Sequence, residues 1–299
     1  IDHLQIKTST SKIDFSDIYL KNALWSGTKL KFEDSRMDMG YLALQHATGE
    51  MDFIGKYPLN LKTDLIIPSL KSLDIQMIKV VARGTLDTLK AGIATRTPDL
   101  LTGWVVVHPV RDHVPMNGEL FFKNYHLPLL KEQKLFAKDG VARFNGDIQK
   151  LLLTLDTDLK GEQIPEGKYN ALMDTDLKNQ LNINDFNGQL MGGRVGLKGV
   201  VNWHNHVSWD VKGRLEKLNP KDKTLPQVAQ DFLPPNLDAN LSSSGSMEKG
   251  LSLKANLDFD KYESWAIKLN QAEAKDHKPQ PMLLNVAWKN IDRAVPYIG

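Results

Sequence analysis

Apolar residues recur at every second position along almost the whole chain, and this alternation limits the possible folds more than any other feature. It runs through Leu4/Ile6, Ile13/Phe15, Ile18/Leu20, Leu30/Phe32, Met37/Met39 and Leu59/Leu61. It continues at Leu151/Leu153/Leu155, Val195/Leu197 and Val207/Trp209/Val211. It is still present at Leu251/Leu253/Ala255/Leu257/Phe259, Trp265/Ile267/Leu269 and Met282/Leu284/Val286/Trp288. The residues between are mostly Lys, Asp, Asn, Gln, Thr and Ser. Successive side chains of a strand point to opposite faces, so each segment has one apolar face and one wet face. Helical spacing occurs in one stretch only. There Leu225, Val228, Ala229, Phe232 and Leu233 form a stripe behind the capping box Thr224-x-x-Gln227, and Pro234-Pro235 ends it. This predicts a short helical insertion within a Pro-rich segment, 219–236.

A strand every 10–15 residues implies roughly 20–25 strands for a chain of this length. An open sheet of that size with one apolar face must curl, split or be covered. Helix to cover it is almost absent, and no composition shift marks a boundary between two sandwiches. The expected fold class is therefore all-β, an elongated curved β-sheet folded into a trough with an apolar inner groove and one short helical insertion. The expected organisation is a continuous β-repeat groove over 1–218, the insertion at 219–236, and a continuation of the groove over 237–299.

Laid over itself with a shift of 56 residues, the chain repeats a pattern. Val201-x-Trp203 is followed after five residues by Trp209-x-Val211, and Leu257-x-Phe259 after five by Trp265-x-Ile267. A weaker copy is Met51-x-Phe53 followed by Leu59-x-Leu61. Each predicts a β-hairpin whose bulky residues face each other across a short polar loop.

Composition removes several function classes. Lys and Arg total 38 against 36 Asp and Glu, so the basic excess of a nucleic-acid binder is missing. The longest apolar runs, Tyr41–Leu44 and Trp104–Val107, are far below the roughly 20 residues of a membrane-spanning helix. Without cysteine there are no disulfides, thiolate metal sites or cysteine nucleophiles, and such a chain suits the cytosol and the periplasm equally. Beginning at Ile1, the chain is read as an internal fragment of something longer.

Candidate reactive motifs have plainer readings. His204-x-His206 could offer two metal ligands but reads as a hairpin loop, since no third ligand lies nearby. Asp156-x-Asp158-x-Lys160 places a lysine where a calcium loop needs oxygen, so its carboxylates read as solvent-facing strand residues. Gly192-Gly193-Arg194 reads as a strand turn rather than an anion nest. No GxSxG, HExxH or dinucleotide fingerprint occurs. The expectation is no enzyme, no catalytic residue, no metal and no cofactor.

One segment resembles a known family. From Gly188 the chain passes through Gly192-Gly193-Arg194, Gly199 and Val201-x-Trp203 to Ser208-Trp209, and leaves by Leu218-Asn219-Pro220. This order, together with Gly161-Glu-Gln-Ile-Pro165 before it and the strands to about Leu269 after it, is similar to the TamB (translocation and assembly module) family of the AsmA-like superfamily. Residues 1–150 share only the rhythm. The departures are the Pro-rich insertion and Phe259 in place of another aromatic residue.

The resemblance implies a periplasmic segment of a protein held in the bacterial inner membrane by an anchor outside this fragment. It implies a β-groove carrying glycerophospholipids towards the outer membrane, with phospholipids and a TamA-like outer-membrane protein as partners and no nucleic acid. The positions expected to line the groove are Leu151, Leu153, Leu155, Val195, Leu197, Val201, Trp203, Trp209, Val211, Leu251, Leu253, Leu257, Phe259, Trp265 and Ile267. The alternative function is a scaffold that helps TamA assemble outer-membrane barrels and autotransporters by β-augmentation. A third reading is a structural spacer with a filled, dry core.

Overall fold

The computed structural model describes residues 4–7, 12–15, 17–38, 43–66, 77–95, 100–127, 135–161, 166–203, 207–219, 236–246, 250–259, 263–271 and 282–290. Every regular element among them is a β-strand, which makes the protein all-β as the alternation requires. The predicted helix at 224–233 lies outside the described residues. The chain divides into two units, Ile1–Leu151 and Leu152–Gly299.

The first unit opens with β1 (Leu4–Lys7) and β2 (Lys12–Phe15), a separate two-stranded ribbon. There follow β3 (Asp17–Tyr19), β4 (Leu24–Ser26), β5 (Lys29–Asp38), β6 (Ala43–Asp52) and β7 (Pro58–Ile66). The series continues with β8 (Ile78–Thr85), β9 (Leu89–Thr95), β10 (Leu100–Val107), β11 (Met116–Leu127) and β12 (Leu135–Gly146). Strands β3 and β4 both pair with β5, and from β5 onward each strand pairs antiparallel with the next.

Residues directly opposed in an antiparallel pair share a face. One row of such pairs runs Met51, Leu59, Gly84, Leu89, Val107, Met116 and Gly146. The next runs Gly49, Leu61, Ala82, Ala91, Val105, Gly118 and Phe144. Two glycines of this unit, Gly118 in the second row and Gly140 on β12, have a packing role: a ring from the neighbouring strand lies where a side chain would be. A Cβ on Gly118 would strike Phe144, and one on Gly140 would strike Phe122.

Apart from its first residue, β13 (Leu151–Gly161) belongs to the second unit, which also holds β14 (Gly167–Thr175), β15 (Gln180–Leu190), β16 (Gly193–Asn202) and β17 (Ser208–Leu218). It ends with β18 (Leu237–Ser246), β19 (Gly250–Phe259), β20 (Glu263–Gln271) and β21 (Met282–Lys289). From β14 to β21 each strand pairs antiparallel with the next. The Gly192-Gly193-Arg194 motif is a tight strand turn. Met191 (φ 46°) and Gly192 (φ 74°) form its two-residue loop, with the positive φ values that a hairpin twist demands.

The internal repeat corresponds to three hairpins of one register: Val201 opposes Trp209, Leu257 opposes Trp265, and Met51 opposes Leu59. In the second copy the bulky pair meets as expected, with Phe259 and Trp265 edge to face at a centroid distance of 5.9 Å.

Packing in this fold is shallow. Among the described residues, seven of the fourteen buried apolar ones are alanines, and the largest fully buried side chain is Ser35. The large aliphatic and aromatic groups stand on the sheet faces, mostly half-buried.

Candidate functional site

The apolar face of the second unit is built from four rows of opposed residues, each crossing the eight strands from β14 to β21. The first row is Thr175, Leu181, Val201, Trp209, Gly245, Leu251, Gln271 and Met282. The second is Met173, Ile183, Gly199, Val211, Ser243, Leu253, Leu269 and Leu284. The third is Ala171, Phe186, Leu197, Gly213, Leu241, Ala255, Ile267 and Val286. The fourth is Tyr169, Gly188, Val195, Leu215, Ala239, Leu257, Trp265 and Trp288. None of these residues is charged, while the opposite face carries residues such as Lys198, Asp210, Lys212 and Lys254.

Ten of the expected lining residues fall in these rows: Val195, Leu197, Val201, Trp209, Val211, Leu251, Leu253, Leu257, Trp265 and Ile267. All ten are half-buried. Phe259 has the same parity one row further out and is 2 % exposed. Trp203 lies just beyond β16, 38 % exposed, and its backbone N–H donates to Asn179 O at 2.7 Å. On β13, Leu151 is buried and Leu153 and Leu155 are half-buried, alternating with exposed Leu152 and Asp156.

Two of the three tryptophans in these rows, Trp209 and Trp265, have partners for their indole N–H groups. Trp209 Nε1 donates to Ser243 Oγ at 2.9 Å, and Trp265 Nε1 donates to Glu263 Oε1 at 3.0 Å. Their rings thus offer apolar area without a buried donor that would need a ligand. Tyr169 and Phe186 pack with ring centroids 5.7 Å apart, and burial pushes the Tyr169 phenol pKa above its ordinary value.

Sequence reasoning missed much of this face. On β15 the apolar positions step from Leu181 and Ile183 to Phe186 and Gly188, because a bulge between Ile183 and Phe186 shifts the period. On β18 they are Leu237, Ala239, Leu241, Ser243 and Gly245, where small residues blur the alternation. On β14 the alternation Tyr169-x-Ala171-x-Met173 is itself a readable period-two signal.

Other motifs show no converging chemistry. Asp156 is exposed, and among the described residues no group of three or more His, Asp or Glu side chains is placed to hold a metal. His204 and His206 lie outside the described residues. Among those described, no helix is long and apolar enough to cross a membrane.

Residues 1–272 match the family model described as the N-terminal domain of TamB. The match includes residues 1–150, where the sequence alone resembles the family only in rhythm. No solved structure matches the chain.

Proposed function

The chain belongs to the TamB family, and on that premise we propose that the apolar face of its second unit carries phospholipid acyl chains through the periplasm towards the outer membrane. The observation behind this reading is the four uncharged rows, whose large side chains are half-buried from β15 to β20 and exposed on β21, and so keep apolar surface available to a ligand. At ~4.8 Å between strands and ~3.4 Å per residue, the rows cover roughly 34 by 20 Å. One leaflet of a bilayer core is about 15 Å thick, so an extended acyl chain fits within that area. Burying about eight methylenes at ~0.8 kcal/mol each stabilises the chain by about 6 kcal/mol. Such an interaction is non-directional, so a lipid can slide from one strand to the next without breaking a specific bond. In this reading the protein performs no covalent chemistry, and a TamA-like outer-membrane protein stands at the receiving end.

Native mass spectrometry of the purified chain tests the proposal. Adducts with the masses of intact phospholipids are expected, and they should diminish in a Leu253→Asn/Leu269→Asn variant that retains its strand circular dichroism. Lipid-free spectra from membrane-gentle purification would overturn it and leave the TamA-linked assembly scaffold as the better reading.

A further inference from the structure

The polar face of the second unit carries cations in an arrangement that solvation alone does not call for. Strand register places Lys198 opposite Lys212, Lys212 opposite Ser242, Ser242 opposite Lys254, and Lys254 opposite Lys268. Four lysines therefore stand in one row across five consecutive strands. Like charges directly opposed across strands are destabilising, and this row contains two such pairs. All four lysines are exposed. Lys198 reaches Asp185 at 3.8 Å, whereas Lys212, Lys254 and Lys268 have no ion-pair partner among the described residues. At ~4.8 Å per strand the row is about 19 Å long.

One end of the row opens into a depression of about 490 Å³ where Arg194, Lys198, Lys212 and Arg214 converge. Gly196 forms its floor: a Cβ there would have no heavy atom nearer than 3.8 Å. Four cations face two carboxylates, Asp185 and Glu216, so the depression keeps an excess of positive charge. Beside the lysines, Asn240 opposes Asn256 on one flank and Ser244 opposes Ser252 on the other.

We propose that this lysine ladder is a docking strip for an extended acidic polypeptide segment, with one carboxylate seated over Gly196 and others along Lys254 and Lys268. About six residues of extended chain span it. The flanking amides and hydroxyls supply neutral donors and acceptors for a peptide backbone. A folded protein partner fits less well, because these five strands present no aromatic residue on this face and interface hot spots are rich in Trp, Tyr and Arg. Single-stranded nucleic acid fits less well for the same reason, since its bases need stacking platforms. A flat anionic bilayer engages the row incompletely. Neighbouring strands rotate by about 20–25°, so the lysine directions fan out by roughly 80–100° from Lys198 to Lys268. A flexible chain can follow that turn.

The test is fluorescence anisotropy of a labelled deca-glutamate peptide with the whole chain at low salt. Its arms are the unaltered chain, Lys212→Gln/Lys254→Gln/Lys268→Gln, and a charge-matched control in the first unit, Lys62→Gln/Lys79→Gln/Lys90→Gln. The ladder variant is expected to weaken binding at least tenfold and to flatten the salt dependence, with the control within about twofold of the unaltered chain. Equal weakening in both variants would show that only net charge matters and would overturn the proposal. So would the absence of peptide binding, or stronger binding to phosphatidylglycerol vesicles or single-stranded DNA than to the peptide. The ladder lies on the face opposite the acyl-chain rows, so phospholipid adducts in the ladder variant separate failure of this proposal from failure of the lipid reading.

Discussion

Two glycines on β16, three residues apart, should respond in opposite ways to the same substitution. Gly199 sits in an apolar row between Ile183 and Val211. A Cβ there would overlap the carbonyl oxygen of Asp210, and it would lie 2.7 Å from Val211 Cα and 3.0 Å from Val211 Cγ2. The first two obstacles are backbone, so Gly199→Ala must push β16 and β17 apart. Overpacking of this kind costs about 1–3 kcal/mol. Replacing a strand glycine by alanine returns about 0.5–1 kcal/mol through the unfolded chain, which leaves a net loss of about 1–2 kcal/mol. At Gly196 the nearest atoms are 3.8 Å away, so the same substitution keeps only the gain. The two variants should differ by about 2 kcal/mol, or about 1 M in urea midpoint for a slope near 2 kcal/mol/M. Urea unfolding followed by tryptophan fluorescence measures it, with amide exchange over 194–216 locating the change. A Gly196→Ala midpoint as low as that of Gly199→Ala would refute the packing argument.

Two further outcomes follow from packing and charge. Phe259 is 2 % exposed and meets Trp265 edge to face, so Phe259→Ala should cost about 3–5 kcal/mol by urea unfolding. Phe53, 38 % exposed and stacked on an exposed Trp25, should cost about 1 kcal/mol or less when truncated; equal losses would contradict the burial assigned to Phe259. The Asp176 carboxylate accepts backbone N–H bonds from Asn179, Gln180 and Lys178 and a side-chain bond from Asn179, which hold its pKa far below the ordinary carboxylate range. Because the folded-state pKa is depressed, its stabilisation of the β14–β15 turn is present above the unfolded value of 3.8 and is lost as pH falls through the folded value. Carboxyl NMR should show Asp176 ionised at acidities that protonate the exposed aspartates, and titration together with them would discard this assignment.

The sequence shows the strands themselves plainly. Period-two alternation at Leu251 to Phe259 and at Trp265 to Leu269 marks β19 and β20, and the echoed spacing predicts a hairpin between them; the register opposes Trp265 to Leu257 and leaves Phe259 as its diagonal neighbour. What stays hidden depends on register between strands. Bulges between Phe32 and Ser35, Gln45 and Thr48, and Leu215 and Leu218 each shift the period, so positions after them change face with no compositional sign. The glycines that receive Phe144 and Phe122 look like ordinary strand interruptions until the neighbouring strand is in place. The lysine ladder is the clearest case. Lys198, Lys212, Lys254 and Lys268 are separated by unequal lengths of chain and form a row only through four successive pairings.

Site-specific photo-crosslinking in cells tests the lipid-carrying face most directly. Leu253 stands in the second apolar row between Ser243 and Leu269, whereas Lys254, the next residue, points to the polar face. A crosslinker at 253 in the full-length protein should capture phospholipid, as should one at 265, while one at 254 should not. Equal phospholipid labelling at 253 and 254, or labelling at 254 alone, would contradict the assignment of the apolar rows as the lipid path.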